Sequence, residues 1–126
     1  MKRNLIFLVD DDPMSNVFNS MMIRKKYPSM EIIAFTSAEE ALSNLRSAGS
    51  RKPALIFLDL NMPVLNGWDF LEEFQKLSLA IDITLLTSSN EIEDMARSKE
   101  FVEVKHYLVK PISANALEEV MKKFVL

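Results

Sequence analysis

The sequence predicts an α/β fold, a parallel sheet of five strands covered by helices on both faces. Three observations carry this expectation. Short apolar runs alternate with helical patterns along the whole chain. The runs are continuous rather than alternating, as strands buried on both faces require. Strand and helix follow one another without exception, which makes neighbouring strands parallel.

The first run is Leu5–Val9 (LIFLV). A helix follows, with Asp12 as N-cap, Pro13 in the first turn, and an apolar stripe of Met14, Val17, Phe18 and Met21. Tyr27-Pro28 closes it. The second run is Glu31–Phe35. Ser37 and Glu40 have capping-box spacing and open a helix that uses Ala41, Leu42, Leu45 and Ala48 before Gly49. The third run is Ala54–Leu58, followed by a helix on Phe70, Leu71, Phe74 and Leu77. The fourth, Ile83–Leu86, leads to a weaker helix with Asn90 and Glu93 at capping-box spacing. The fifth, His106–Val109, precedes a helix on Leu117, Val120, Met121 and Phe124. Right-handed crossovers leave few arrangements for such units. The expected strand order is 2-1-3-4-5, the flavodoxin-like three-layer sandwich.

Composition narrows the function. The 126 residues amount to one domain, expected to span 1–126 with no output domain. The balance of 15 basic and 18 acidic residues, net −3, offers no cationic surplus for nucleic acid. There is no Cys, which excludes disulfides, thiolate metal sites and a thiol nucleophile. The lone His106 excludes a multi-histidine metal site. The opening MKRNLIFLVDDD has too short an apolar run for a signal peptide, which needs about 7–15 apolar residues. No stretch approaches the roughly 20 apolar residues of a membrane span. The expectation is a cytoplasmic protein that engages neither membrane nor nucleic acid.

The polar residues fall where the strands end. The first run ends into Asp10, Asp11 and Asp12, the third into Asp59, the fourth into Thr87, and the fifth into Lys110. In a parallel sheet these ends share one edge, and the crevice between the first and third strands is the topological switch point. Carboxylates gathered there repel one another and raise each other's pKa. A hard divalent cation relieves that conflict. With oxygen ligands alone, magnesium or manganese is favoured. A cation, a lysine and a hydroxyl around one carboxylate suit a phosphoryl group, and a carboxylate can itself be the nucleophile that forms an acyl phosphate.

These residues also carry a resemblance. The stretch LIFLDLNMPVLNGWDFLEEF resembles the phosphoacceptor region of response-regulator receiver domains of two-component phosphorelays. VDDDP, LLTS and YLVKP resemble the family's other signatures, in the right order, and the similarity covers essentially the whole chain. The resemblance implies that Asp59 is the phosphoacceptor. It implies that Asp11 ligates magnesium directly, Asp10 mainly through a water, and Asn61 through its backbone carbonyl. Thr87 would hydrogen-bond one phosphoryl oxygen and Lys110 pair with another; by the pocket's charge alone, Asp59 can hold Lys110 beforehand. Tyr107 would change rotamer on activation, Pro63 and Gly67 would shape the loop after Asp59, and Lys110-Pro111 would be cis. Implied partners are a sensor histidine kinase or histidine phosphotransfer protein as donor and a downstream protein as target. The chain would catalyse only its own phosphorylation and dephosphorylation. Many members carry a Gly-Ala pair before the fifth strand; EFVEVKHYL here has no glycine.

Other residues receive structural readings. His106 is expected to face solvent, the methionines (Met14 and Met21 included) to fill core, and Trp68 to pack at the start of the third helix. Glu72, Glu73, Glu118 and Glu119 read as solvated helix faces. Haloacid-dehalogenase-like phosphohydrolases need an acid two residues after the nucleophile, where this chain has Asn61. A receiver-like module independent of phosphorylation would have lost acidic or lysine positions, all of which are present.

Overall fold

A computed structural model describes residues 4–88 and 92–123. Its elements are β1 (Leu5–Val9), α1 (Pro13–Lys26), β2 (Glu31–Phe35), α2 (Ala38–Arg46), β3 (Leu55–Asp59), α3 (Gly67–Lys76), β4 (Asp82–Thr87), α4 (Ile92–Ser98), β5 (Val104–Val109) and α5 (Ala114–Met121). The strands form one parallel sheet in the order β2-β1-β3-β4-β5. Among the described residues no helix is long and apolar enough to cross a membrane.

Side-chain alternation sorts the core into two layers. Leu5, Phe7 and Val9 of β1, with Ile56 and Leu58 of β3, pack under α2 and α3. Ile6 and Leu8, with Leu55 and Phe57, pack under α1 and α5. Both central strands are therefore buried on both faces, the physical reason for their unbroken apolar runs.

The caps follow local chemistry. Asp12 Oδ1 accepts from Met14 N at 3.0 Å and Ser37 Oγ from Glu40 N at 3.3 Å. Asn66 and Asp69 form a reciprocal capping box at the start of α3. Ser113 caps α5. The expected Asn90 cap and the Phe124 position of the last stripe lie outside the described residues. The Lys110–Pro111 bond is cis.

Three expectations are corrected. The α1 stripe faces solvent: Met14 is 72%, Val17 52%, Phe18 59% and Met21 66% exposed. The buried face of α1 is Asn16, Asn19 and Ile23. Donors are needed there, because backbone carbonyls at the ends of β1 and β2 lie under it. The helix α2 ends at Arg46, so Ala48 is an exposed loop residue. His106 is only partly exposed, and its Nε2 lies 3.2 Å from Lys123 Nζ of the α5 end. Burial first, then the Lys123 charge, holds its pKa below the usual 6.5.

The segment before β5 closes without a glycine. Phe101 is buried, and the Glu103 carbonyl accepts from Ile83 N at 2.8 Å. Ile83 pairs with Val104 and Thr84 with His106, so Lys105 is an extra residue in β5. That shift puts Val104 and Tyr107 against one core layer and Leu108 against the other.

Candidate functional site

Parity along the strands aims the acidic side chains. Ile6 and Leu8 point to the α1 and α5 layer, and Asp10 continues that alternation past β1. Leu55 and Phe57 point the same way, and Asp59 continues it at the end of β3. The two strands are paired neighbours. Their terminal carboxylates meet at the crevice between them.

Asp10, Asp11 and Asp59 each offer an oxygen within 4.8 Å of the others, with Asp10 and Asp59 buried and Asp11 exposed. Lys110, from the end of β5, places Nζ 2.8 Å from Asp10 Oδ2 and 3.7 Å from Asp59 Oδ2. The expected ion pair with Asp59 is present, and Asp10 is the closer partner. Burial lowers the Lys110 pKa, but the hydrogen bond to Asp10 and the charges of Asp59, Asp10 and Asp12 outweigh it, and the net direction is upward. Lys110 is held as a cation.

Asp59 is in electrostatic conflict. Burial and then the Asp10 charge raise its pKa from 3.8 to about 6, against the opposing pull of the Asn61 backbone N–H and of Lys110. Asn61 N donates to Asp59 Oδ1 at 3.2 Å. One lysine does not balance three carboxylates, and an oxygen-seeking cation fits the donor set.

Thr87 ends β4 and is fully buried. Asn61 Nδ2 approaches its Oγ1 at 3.4 Å, and the Thr87 carbonyl accepts from Lys110 N at 2.6 Å. Register places Leu85 opposite Tyr107 and Thr87 opposite Val109. Thr87 and Tyr107 thus share a sheet face as diagonal neighbours. The half-buried Tyr107 packs against the edge of the α2 and α3 layer.

The loop after Asp59 is tightly folded. Gly67 N donates to the Leu60 carbonyl at 3.0 Å. A Cβ on Gly67 would lie 2.7 Å from Leu60 Cα and 2.8 Å from the Asp59 carbonyl oxygen, too close for any other residue. Val64 in the same loop is fully exposed and has φ 66°, a strained setting for a β-branched residue. Trp68 stacks on Phe101 at 6.1 Å, with the Arg97 guanidinium 4.4 Å over its ring.

Asp10, Asp11, Asp59, Asn61, Thr87 and Lys110 therefore form one contiguous cluster, with Tyr107 beside Thr87. A sequence model of the Response regulator receiver domain family matches residues 6–122. The chain belongs to this family. A crystal structure of a two component response regulator from Cytophaga hutchinsonii is 33% identical, with a TM-score of 0.86 over 99% of this receiver and 98% of that chain. The chemotaxis protein CheY4 of Vibrio cholerae, 22% identical with a TM-score of 0.79, covers 98% of this chain and 99% of its own and shares the fold. The probable C4-dicarboxylate response regulator DctR of Halalkalibacterium halodurans is 26% identical over 119 residues, 94% of this chain and 50% of its own length. This receiver spans about half the length of the curated relatives it matches.

Sequence reasoning missed two contributors to the pocket. Asn16, buried behind Asp10, donates Nδ2 to the Asp10 carbonyl at 3.0 Å. Its signal was the polar pair Asn16 and Asn19 at helical spacing with Ile23, hidden by the stronger apolar stripe on the opposite face. The Asn66–Asp69 capping box was also legible, as an Asn three residues before an Asp.

Proposed function

We propose that this receiver is a phosphorylation switch whose acceptor is Asp59. The observation that carries the reading is the cluster of Asp10, Asp11 and Asp59 oxygens within 4.8 Å, with the Lys110 ammonium against it. Asp59 is the carboxylate best placed to react. It ends β3 beside β1, while Asp10 is occupied by Lys110 and by Asp12 N at 3.0 Å.

In the proposed reaction an Asp59 carboxylate oxygen attacks the phosphorus of a phosphohistidine on a sensor kinase or phosphotransfer protein. A P–O bond forms, the P–N bond breaks, and the released imidazole takes up a proton. Asp10, Asp11, Asp59 and the Asn61 carbonyl would hold a magnesium ion, with manganese as the alternative, and its charge would neutralise phosphoryl oxygens. Lys110 leaves Asp10 for a phosphoryl oxygen. Thr87 donates its hydroxyl to another.

The phosphoryl group brings about −1.5 to −2 charge and three acceptor oxygens. Movement of Thr87 towards it opens space beside Tyr107, which turns inward. The surface of α4, β5 and α5 then differs between the two states and is read by a downstream protein, or the phosphoryl group passes on along a relay. The cytoplasm, where such donors are found, is the proposed place of action.

Incubation with acetyl phosphate and magnesium, followed by intact-mass measurement, tests this. One added phosphoryl mass, suppressed by a chelator, is the expected result. Unmodified protein at saturating reagent would overturn the reading.

A further inference from the structure

The helix α1 is built in reverse, with its apolar stripe in water and asparagines against the sheet. Asn16 is 4% exposed. An asparagine inside a helix is a poor helix former, and burying its amide costs free energy unless it is hydrogen-bonded. Ile23, on the same buried face of the helix, belongs to the apolar layer of Ile6 and Leu8, where an apolar residue is the ordinary choice. Its partners supply the reason for asparagine. Nδ2 donates to the Asp10 carbonyl at 3.0 Å and reaches the Phe35 carbonyl at 3.4 Å. One amide therefore ties together the ends of β1 and β2.

Each polar group of Asp10 is thereby fixed. Its N–H donates to the Phe35 carbonyl at 3.0 Å and its carbonyl accepts from Asn16. Its Oδ1 accepts from Asp12 N at 3.0 Å and its Oδ2 from Lys110 at 2.8 Å. Of these four contacts, the one from Asn16 holds the peptide that joins Asp10 to Asp11. The orientation of that peptide determines where the Asp11 carboxylate starts relative to Asp59.

We infer that Asn16 is a positioning residue for the acidic pocket: its buried amide sets the Asp10–Asp11 peptide so that both carboxylates converge on Asp59. Among the described residues, the Asp10 carbonyl is the pocket group to which Asn16 is bonded. The inference rests on the reading of Asp10 and Asp11 as the cation-holding pair. Groups that orient metal ligands from behind are worth about 10–100-fold in metal affinity.

The experiment compares wild type with Asn16→Leu and Asn16→Ala, which lack the donor, and with Ile23→Ala. Ile23 is buried on the same helix face, two turns beyond Asn16, so its variant controls for lost stability. Thermal melts establish the temperature at which all four proteins are folded. Magnesium affinity is then measured by NMR titration, and amide hydrogen exchange at Asp10 and Asp12 is followed in metal-free protein. About tenfold weaker magnesium binding in both Asn16 variants, with Ile23→Ala unchanged, is the expected result. Faster exchange at Asp10 and Asp12 should accompany it in the Asn16 variants alone. Wild-type magnesium affinity in a folded Asn16 variant, or an equal loss in Ile23→Ala, overturns the inference. If wild type binds no magnesium, the reading of the pocket fails on its own. The exchange data then decide for Asn16, faster exchange supporting its positioning role and unchanged exchange refuting it.

Discussion

Replacing Asp59 with asparagine should stabilise the metal-free protein, because the native carboxylate is held in a place that opposes its charge. Burial and the neighbouring Asp10 raise the Asp59 pKa from 3.8 to about 6. A change of that size corresponds to at most about 3 kcal/mol. Asp59 shares its field with Asp10 and Lys110, and solvent enters at the exposed Asp11, so roughly half, about 1.5 kcal/mol, is expected after screening. An acid with a higher pKa in the folded than in the unfolded chain favours folding below 3.8 and loses that contribution as pH rises through about 6. The gain from Asp59→Asn is therefore full above about pH 7 and absent near pH 4. For a domain of this size it amounts to about 5 °C in Tm. Thermal melts of both proteins in chelator across that pH range are the assay. Magnesium should stabilise wild type more than the variant and narrow the gap. A difference that is independent of pH, or a variant less stable at neutral pH, would refute the electrostatic reasoning.

Three further outcomes are expected. Thr87→Ala should still take a phosphoryl group at Asp59 but transmit it poorly. Amide shifts on α4, β5 and α5 that respond to beryllofluoride equally in both proteins would sink the coupling to Tyr107. Gly67→Ala should cost about 1–3 kcal/mol in urea unfolding, since its Cβ meets backbone at 2.7 Å and 2.8 Å; an unchanged midpoint would contradict the packing. Val64→Gly relieves a β-branched residue at φ 66° and should raise stability by up to about 1 kcal/mol, the gain being offset in part by a freer unfolded chain; a clear loss in the same assay would count against the strain.

The convergence of these side chains was legible because topology does the work that local pattern cannot. Once the strands are parallel and ordered 2-1-3-4-5, Asp10, Asp59, Thr87 and Lys110 must share an edge whatever their separation in sequence. The faces of the outer elements were less legible. Periodicity located α1 but assigned Met14, Val17, Phe18 and Met21 to the core. An apolar stripe reports that a helix has two faces, while the carbonyl groups of Asp10 and Phe35 beneath it decide which face turns inward. Strand β5 begins at Val104, earlier than its apolar run, because Lys105 breaks the alternation that the pattern relies on. The sequence pattern offers His106 no partner; Lys123, two residues past the end of α5, lies against it.

The central claim is that Asp59 receives the phosphoryl group. An acyl phosphate is reduced by borohydride to the alcohol, which converts a phosphorylated aspartate to homoserine. Protein treated with acetyl phosphate and magnesium, reduced, digested and sequenced by tandem mass spectrometry should contain homoserine at position 59 and unmodified Asp10 and Asp11. Homoserine at either of those two positions, or a phosphoryl mass on the intact chain with Asp59 unreduced, would contradict the assignment.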